Sequence, residues 1–309
     1  MTQTAGLAVE IQDRTRSGAI AAGKSFKKIE RGAKGAGRAV GGMEKSMRSL
    51  AKVAVGGMGL AMVAQELKQA VKASIEFSKS MAEVSTLISG DITSKMAELT
   101  LATEGMSTAF GQDVNTEAKA LYGIISAGAN AGAEATNILM VANKLAVGGV
   151  TDVATAADGL TSTLNAYGLS AGDAMSVSDD LFAAMKAGKT TIGELAQGMS
   201  LVAPIASQTG VSLEEVLAAT AALTLTGEPT QRAMRGLAQV IASTLKPTSE
   251  ARAMTEELQE TYEDFEFSAA ALKRLGLADF LDTIKEATGG SSEKMAQLFG
   301  GVEALKPIL

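Results

Sequence analysis

Apolar residues return every three to four positions along most of this chain, the period of helices buried on one face. Met234, Leu237, Ile241 and Leu245 stand at steps of three, four and four, one continuous stripe that predicts a helix over 230–245. Val216, Ala219 and Leu223 do the same over 213–226, and Gly227 and Pro229 end that run. Met62, Leu67, Val71, Ile75, Met81 and Val84 form a stripe between residues 60 and 88. The same reading predicts helices over about 92–109, 114–128, 132–147, 151–167, 171–187, 192–206, 250–262, 268–275, 278–287 and 292–299. Residues 223–226 alternate in polarity but keep the helical phase, so no strand is expected. Pro204 is expected to break or kink the helix over 192–206.

Helix starts recur at a nearly fixed interval. Thr151, Ser170, Thr191 and Ser212 each precede an apolar-periodic run, 19, 21 and 21 residues apart. Asp173, Glu194 and Glu215 follow the last three at the third position. A capping hydroxyl accepts from a free backbone N–H of the first turn, and an acid three residues on reaches back. Gly148, Gly149, Gly168, Gly188, Gly210, Gly289 and Gly290 fall between helices and read as left-handed C-caps. A solenoid would give the same rhythm of about 20 residues, but its repeats share residues at fixed positions beyond a common cap. The expected fold is all-α: an irregular bundle of about a dozen short helices, preceded by a long basic N-terminal helical arm. Residues 1–75 are assigned to the arm and 76–309 to the helical core.

Charge sharpens that division. Arg14, Arg16, Lys24, Lys27, Lys28, Arg31, Lys34, Arg38, Lys45 and Arg48 face only Glu10, Asp13, Glu30 and Glu44. Residues 1–50 thus carry +6, and the other 259 carry −12 of the chain's total of −6. The arm fits three uses: nucleic acid, whose phosphates release counterions to Lys and Arg; an acidic protein surface; or a solubilising tail. Phe26 is alone among the cations, so the interleaved aromatics of a single-strand binder are missing and protein contact is favoured.

The chain has no His and no Cys, which excludes Ser-His-Asp and Cys-His catalysis, imidazole or thiolate metal sites, and disulfides. Aromatics are 4% with no Trp, while Met reaches 15 of 309 residues. Small aliphatic side chains suit helices packed closely along their length. Lys189 and Thr190 in MKAGKTT resemble the end of a phosphate loop, but Ala183 stands where its first Gly belongs and the preceding segment is helical. Asp179 and Asp180, and the stretch Glu256, Glu257, Glu260, Glu263, Asp264 and Glu266, lack the loop spacing of a calcium site and read as solvated faces. No catalytic residue, cofactor or metal is predicted. The first residues lack the pattern of a secretory signal. Residues 53–64, VAVGGMGLAMVA, would span about 18 Å as a helix against a hydrocarbon core of roughly 30 Å. They read as a helix-packing seam, a membrane-active segment, or a buried hinge between arm and core.

Several phrases in order carry a resemblance: GVTD…GLTSTLNAYGLS, then LF…GKTT.GELA…..VAPIA, then GVSLEEVLAA.A.LT..G.PT..AMRGL, and finally GLADFLDTIKEATGG. From about residue 77 to 309 the chain resembles the core domain of phage tail tape measure proteins of the TP901 family. The resemblance implies a structural protein of the tail lumen in the virion, made in the host cytoplasm during assembly. It implies action as a ruler for tail length, with a role in DNA ejection. The implied partners are the tail tube protein, tail assembly chaperones and tail tip or baseplate proteins. Membrane contact during ejection, self-association and DNA contact are further expectations. Family members are usually longer, with coiled-coil or repetitive regions beyond this core. The chain stops in mid-phrase at VEALKPIL, residues 302–309, so a fragment or a truncated prophage gene is expected. The alternative classes are a membrane-active or pore-forming helical protein used at genome entry, and a helical adaptor.

Overall fold

The computed structural model describes residues 57–300, with side chains at residue 69 and from residue 71 onward. Among the described residues the fold is all-α, with no strand. The chain divides into two compact units, which meet in sequence at Ser126 and Ala127.

In the first unit, helix α1 (Gly57–Ser85) packs chiefly on α3 (Val114–Ser126), and α2 (Ile92–Phe110) packs on both. Residue 75, the expected end of the arm, lies within α1. Met81 and Val84 of the expected stripe are buried, whereas Ile75 is 43% exposed. Asp91 starts α2 by accepting from the Ser94 N–H at 3.2 Å, and Gly111, left-handed at φ 68°, ends it.

The second unit holds α4 (Ala133–Gly149), α5 (Val153–Tyr167), a 3-10 turn (Ala171–Asp173), α6 (Ala174–Ala187), α7 (Ile192–Thr209), α8 (Leu213–Leu225) and α9 (Thr230–Leu245). The shorter helices α10 (Ser249–Gln259), α11 (Ala269–Leu275), α12 (Leu277–Ala287) and α13 (Ser292–Phe299) follow. The predicted helices match these within a few residues at each end. Within this all-α bundle the six helices from α4 to α9 are arranged in a regular way. The two most extensive contacts skip one helix, α5 along α7 and α7 along α9; α4 packs most on α5 and also lies along α6, and α6 lies along α8. Two layers of alternate helices result, with helices parallel within a layer. Alternate helices thus stack on one another within the bundle.

Glycines set the spacing within the layers. A Cβ on Gly159 of α5 would sit 2.5 Å from the Cβ and 2.8 Å from the Cα of Ala196 on α7. On α7, Gly198 leaves no room for a Cβ beside the Met234 sulfur of α9. On α4, Gly148 faces the Phe182 ring of α6, and Gly149 abuts Ile192 at the start of α7. Gly148 and Gly149 are therefore helical residues placed for close approach, which corrects the expectation of left-handed caps. The left-handed residue after α4 is Val150, at φ 52°. Gly188 is also not left-handed. Its backbone is extended, and a Cβ there would lie 2.8 Å from the Cα of Ala221. Gly168, Gly210, Gly289 and Gly290 have the expected positive φ.

Pro204 does not end α7, which continues to Thr209, and its own residue is exposed.

Gly159→Ala is expected to destabilise the protein by about 1–3 kcal/mol in urea unfolding, because the backbone of Ala196 has to move. Gly105→Ala, in α2 with open space around it, is expected to stabilise by about 0.5–1 kcal/mol. Val150→Gly is expected to stabilise by about 1 kcal/mol by relieving a β-branched residue of its left-handed backbone.

Candidate functional site

Three turns line up at one end of the stack, from α4 to α5, α6 to α7 and α8 to α9. They read Gly149-Val150-Thr151, Gly188-Lys189-Thr190 and Gly227-Glu228-Pro229, at intervals of 39 residues. The three share the first Gly, and the first two also share the Thr at the third position. Side chains join the turns crosswise. The Lys189 N–H donates to Thr224 Oγ1 at 3.0 Å, and the hydroxyls of Thr190 and Thr230 lie 2.7 Å apart. The loop-like GKTT segment is thus a structural turn between two helices, with its backbone committed to the neighbouring pair. Val150 is 92% exposed at this end, with Val147 and Leu225 more than half exposed nearby in the same turns.

The capping hydroxyls shape both ends. Thr191 accepts from the Glu194 N–H at 3.2 Å, and Glu194 accepts from the Thr191 N–H at 3.0 Å. Ser212 and Glu215 form the same reciprocal box, and Asp173 accepts from the N–H and hydroxyl of Ser170. The cap of α5 is Asp152 rather than Thr151, with its carboxylate accepting from the Thr155 N–H at 2.8 Å. Thr151 instead faces Gly193 of α7.

Glu215 has a second task. Its Oε1 accepts from the Leu277 N–H at 2.7 Å, so one carboxylate caps α8 and holds the start of α12. Burial alone would raise its pKa. The hydrogen bonds from Ser212 and Leu277 outweigh burial and hold it below the usual carboxylate range. A depressed folded pKa stabilises above the unfolded value, and that stabilisation is lost as pH falls through the folded value. Near the same end, burial pushes the Tyr167 phenol upward, and the charges of Glu214 and Glu215 add to this. Burial also raises Asp180, helped by Glu214 and Asp179.

The acids of the stretch 256–266 sit on solvated faces. Glu257 pairs with Lys294 at 3.0 Å and Glu266 with Arg274 at 3.4 Å, all partly exposed and worth little each. Among the described residues no group of three acids could hold a metal ion. The ten cations of the arm lie outside the described residues. The apolar run 53–64 enters α1 at Gly57, and its side chains lie outside the described set. No single described helix is long and apolar enough to cross a membrane. The pair α4 and α5 passes on length and composition, bent by 120°, and both helices carry core residues of the stack.

Among the described residues, an open groove of about 540 Å³ lies between α8, α9, α12 and α13. Ala218, Ala222, Leu223, Leu281, Met295 and Phe299 form much of its wall, with Asp282 and Lys285 at the rim. It offers no convergent set of polar groups for catalysis.

Comparison with known proteins supplies what the geometry does not. Residues 102–300 match the model of the phage-related minor tail protein family. The tape measure protein of Pneumococcus phage Dp-1 is 29% identical over 143 residues. That stretch is 46% of this chain and 12% of the phage protein, so the chain spans a small part of its relative's length. No solved structure matches.

Glu215→Gln is expected to cost about 1 kcal/mol at pH 7. The gap to the unchanged protein should narrow as pH falls below the ordinary glutamate range and close once the folded carboxyl protonates, in thermal melts across pH. With the family match covering most of the chain, its membership follows: the chain belongs to the phage-related minor tail proteins, structural components of the phage tail.

Proposed function

We propose that this chain is the folded core of a tape measure protein, acting in tail assembly and tail length determination within the tail tube. The observation that carries this reading is the likeness to the Dp-1 tape measure protein, together with the ordered family phrases. The proposed partners are the tail tube protein, tail assembly chaperones and tail tip or baseplate proteins. The ten cations of the arm would meet an acidic protein surface. The protein would meet these partners in the host cytoplasm and travel in the tail lumen. A role in DNA ejection belongs to the same proposal, and no catalytic step is part of it.

The stack argues for a division of labour. Neighbouring helices in a layer are about 8–10 Å apart, so each 39-residue step lengthens the stack by that much. The same residues drawn out as one helix would add about 60 Å. A stacked core therefore measures little length per residue. In this proposal it nucleates tube assembly and anchors the ruler, and length is set by more extended segments.

Electron microscopy of lysates from a phage carrying this gene, with codons 149–245 deleted in frame, tests the reading. Absent tails, or tube polymerised to random lengths, are expected. Normal tails that fail to deliver DNA would favour a membrane-active role instead, and normal infectious tails would refute a role in the virion.

A further inference from the structure

Helix α8 is apolar nearly all round: beyond Glu214 and Glu215 its polar residues are Thr220 and Thr224, both buried. Such a helix is normally enclosed on every side. Yet Ala218 and Ala222 are exposed, and Leu225, on the same line at the next turn, is 67% exposed. Helix α6 packs on one flank of α8. On another flank α12 is pinned at the first turn, where the Leu277 N–H donates to Glu215, and the groove opens along the rest of the helix. Buried Leu237, Ile284, Met295 and Phe299 close its floor, so the groove is preformed.

The facing wall is α12. Ala278, Asp282 and Lys285 stand on its exposed face at steps of four and three, the same spacing as Ala218, Ala222 and Leu225 on α8. Neither Asp282 nor Lys285 has an ion-pair partner among the described residues. The third charged group of the groove, Glu215, is committed to Ser212 and Leu277. An apolar centre with a charged rim is the anatomy of a protein interface. The charge pattern selects the partner. One acid and one base, three residues apart on one helix, are complementary to the same helix run in the opposite direction. A twofold axis passing between residues 282 and 285 sets Asp282 of each copy against Lys285 of the other, so a single pair of side chains makes two ion pairs.

We infer that the occupant of the groove is a second copy of this chain. Helix α12 of each copy lies in the groove of the other, against Ala218 and Ala222, with Asp282 and Lys285 paired crosswise about the twofold axis. This inference does not depend on the role in the tail.

Sedimentation velocity of the 309-residue chain over about 1–100 μM tests it. Asp282→Lys leaves a rim with two bases, and Lys285→Asp leaves one with two acids. Both positions are exposed, and circular dichroism should show unchanged helicity in each variant. The unchanged chain is expected to dimerise, and each variant alone to associate at least about tenfold more weakly. An equimolar mixture of the two variants should recover the dimer, because opposite charges then meet at both crossings. Hydrogen exchange of α8 and α12 in the unchanged chain should slow as concentration rises, with that of α4 and α5 unaffected. A chain that stays monomeric at about 100 μM would overturn the inference. So would equal dimerisation of the unchanged chain and both variants, which would locate self-association on another surface, and so would a mixture that remains monomeric.

Discussion

Close approach between helices two apart in sequence is the constraint on which the second unit depends. Gly159 against Ala196 and Gly198 against Met234 bring α5, α7 and α9 within reach of backbone contact. Once those axes are fixed, the 39-residue step follows. Each turn must fall beside the next, so Thr190 meets Thr230 and Lys189 meets Thr224. The small-residue composition serves the same end. Ala and Gly do little for burial per residue, but they let dispersion contacts run along whole helices. The scarcity of aromatics follows, and the ring pairs Phe267 with Phe280 and Phe267 with Phe299 sit outside the glycine-spaced layers.

Local chemistry was legible in the chain. Capping boxes at Thr191 and Ser212 are encoded within four residues each, and the helices they start were read closely. The α9 stripe was equally plain at Met234, Leu237 and Ile241, which face the core, whereas Leu245 at its end is exposed. What could not be read locally was which helix each face meets. Gly148, Gly149 and Gly188 look like caps from their neighbours alone, and only the tertiary partner decides between a cap and a contact. Whether Pro204 ends a helix is likewise decided outside its neighbours in sequence, and α7 continues past it. Asp152 displaced Thr151 as the cap because its carboxylate reaches both the N–H and the hydroxyl of Thr155. The recurrence of Gly149, Gly188 and Gly227 was visible in principle, in a comparison at 39 residues rather than at 20.

Function was legible differently. The chain has no His or Cys with which to build common catalytic sites, and its likeness lies in phrases that the fold now accounts for: GVTD, GKTT and GEPT are the three stacked turns, and GVSLEE is the capping box of α8. These phrases record how the stack is built, which is why they identify a family of tail proteins without exposing a reactive site. The surfaces that meet other tail components are read less directly. Exposed apolar residues gather at the stacked turns, at Val147, Val150 and Leu225, and cations gather in the arm.

The parallel adjacency of α7 and α9 can be tested without background, since the chain has no cysteine. Thr190→Cys with Thr230→Cys places two thiols where hydroxyls now lie 2.7 Å apart, 40 residues apart in sequence. On mild oxidation of dilute protein the account predicts a rapid intramolecular disulfide, with helicity unchanged and thermal stability raised. Two free thiols that both react with maleimide after oxidation, in a chain that remains helical, would contradict the stack.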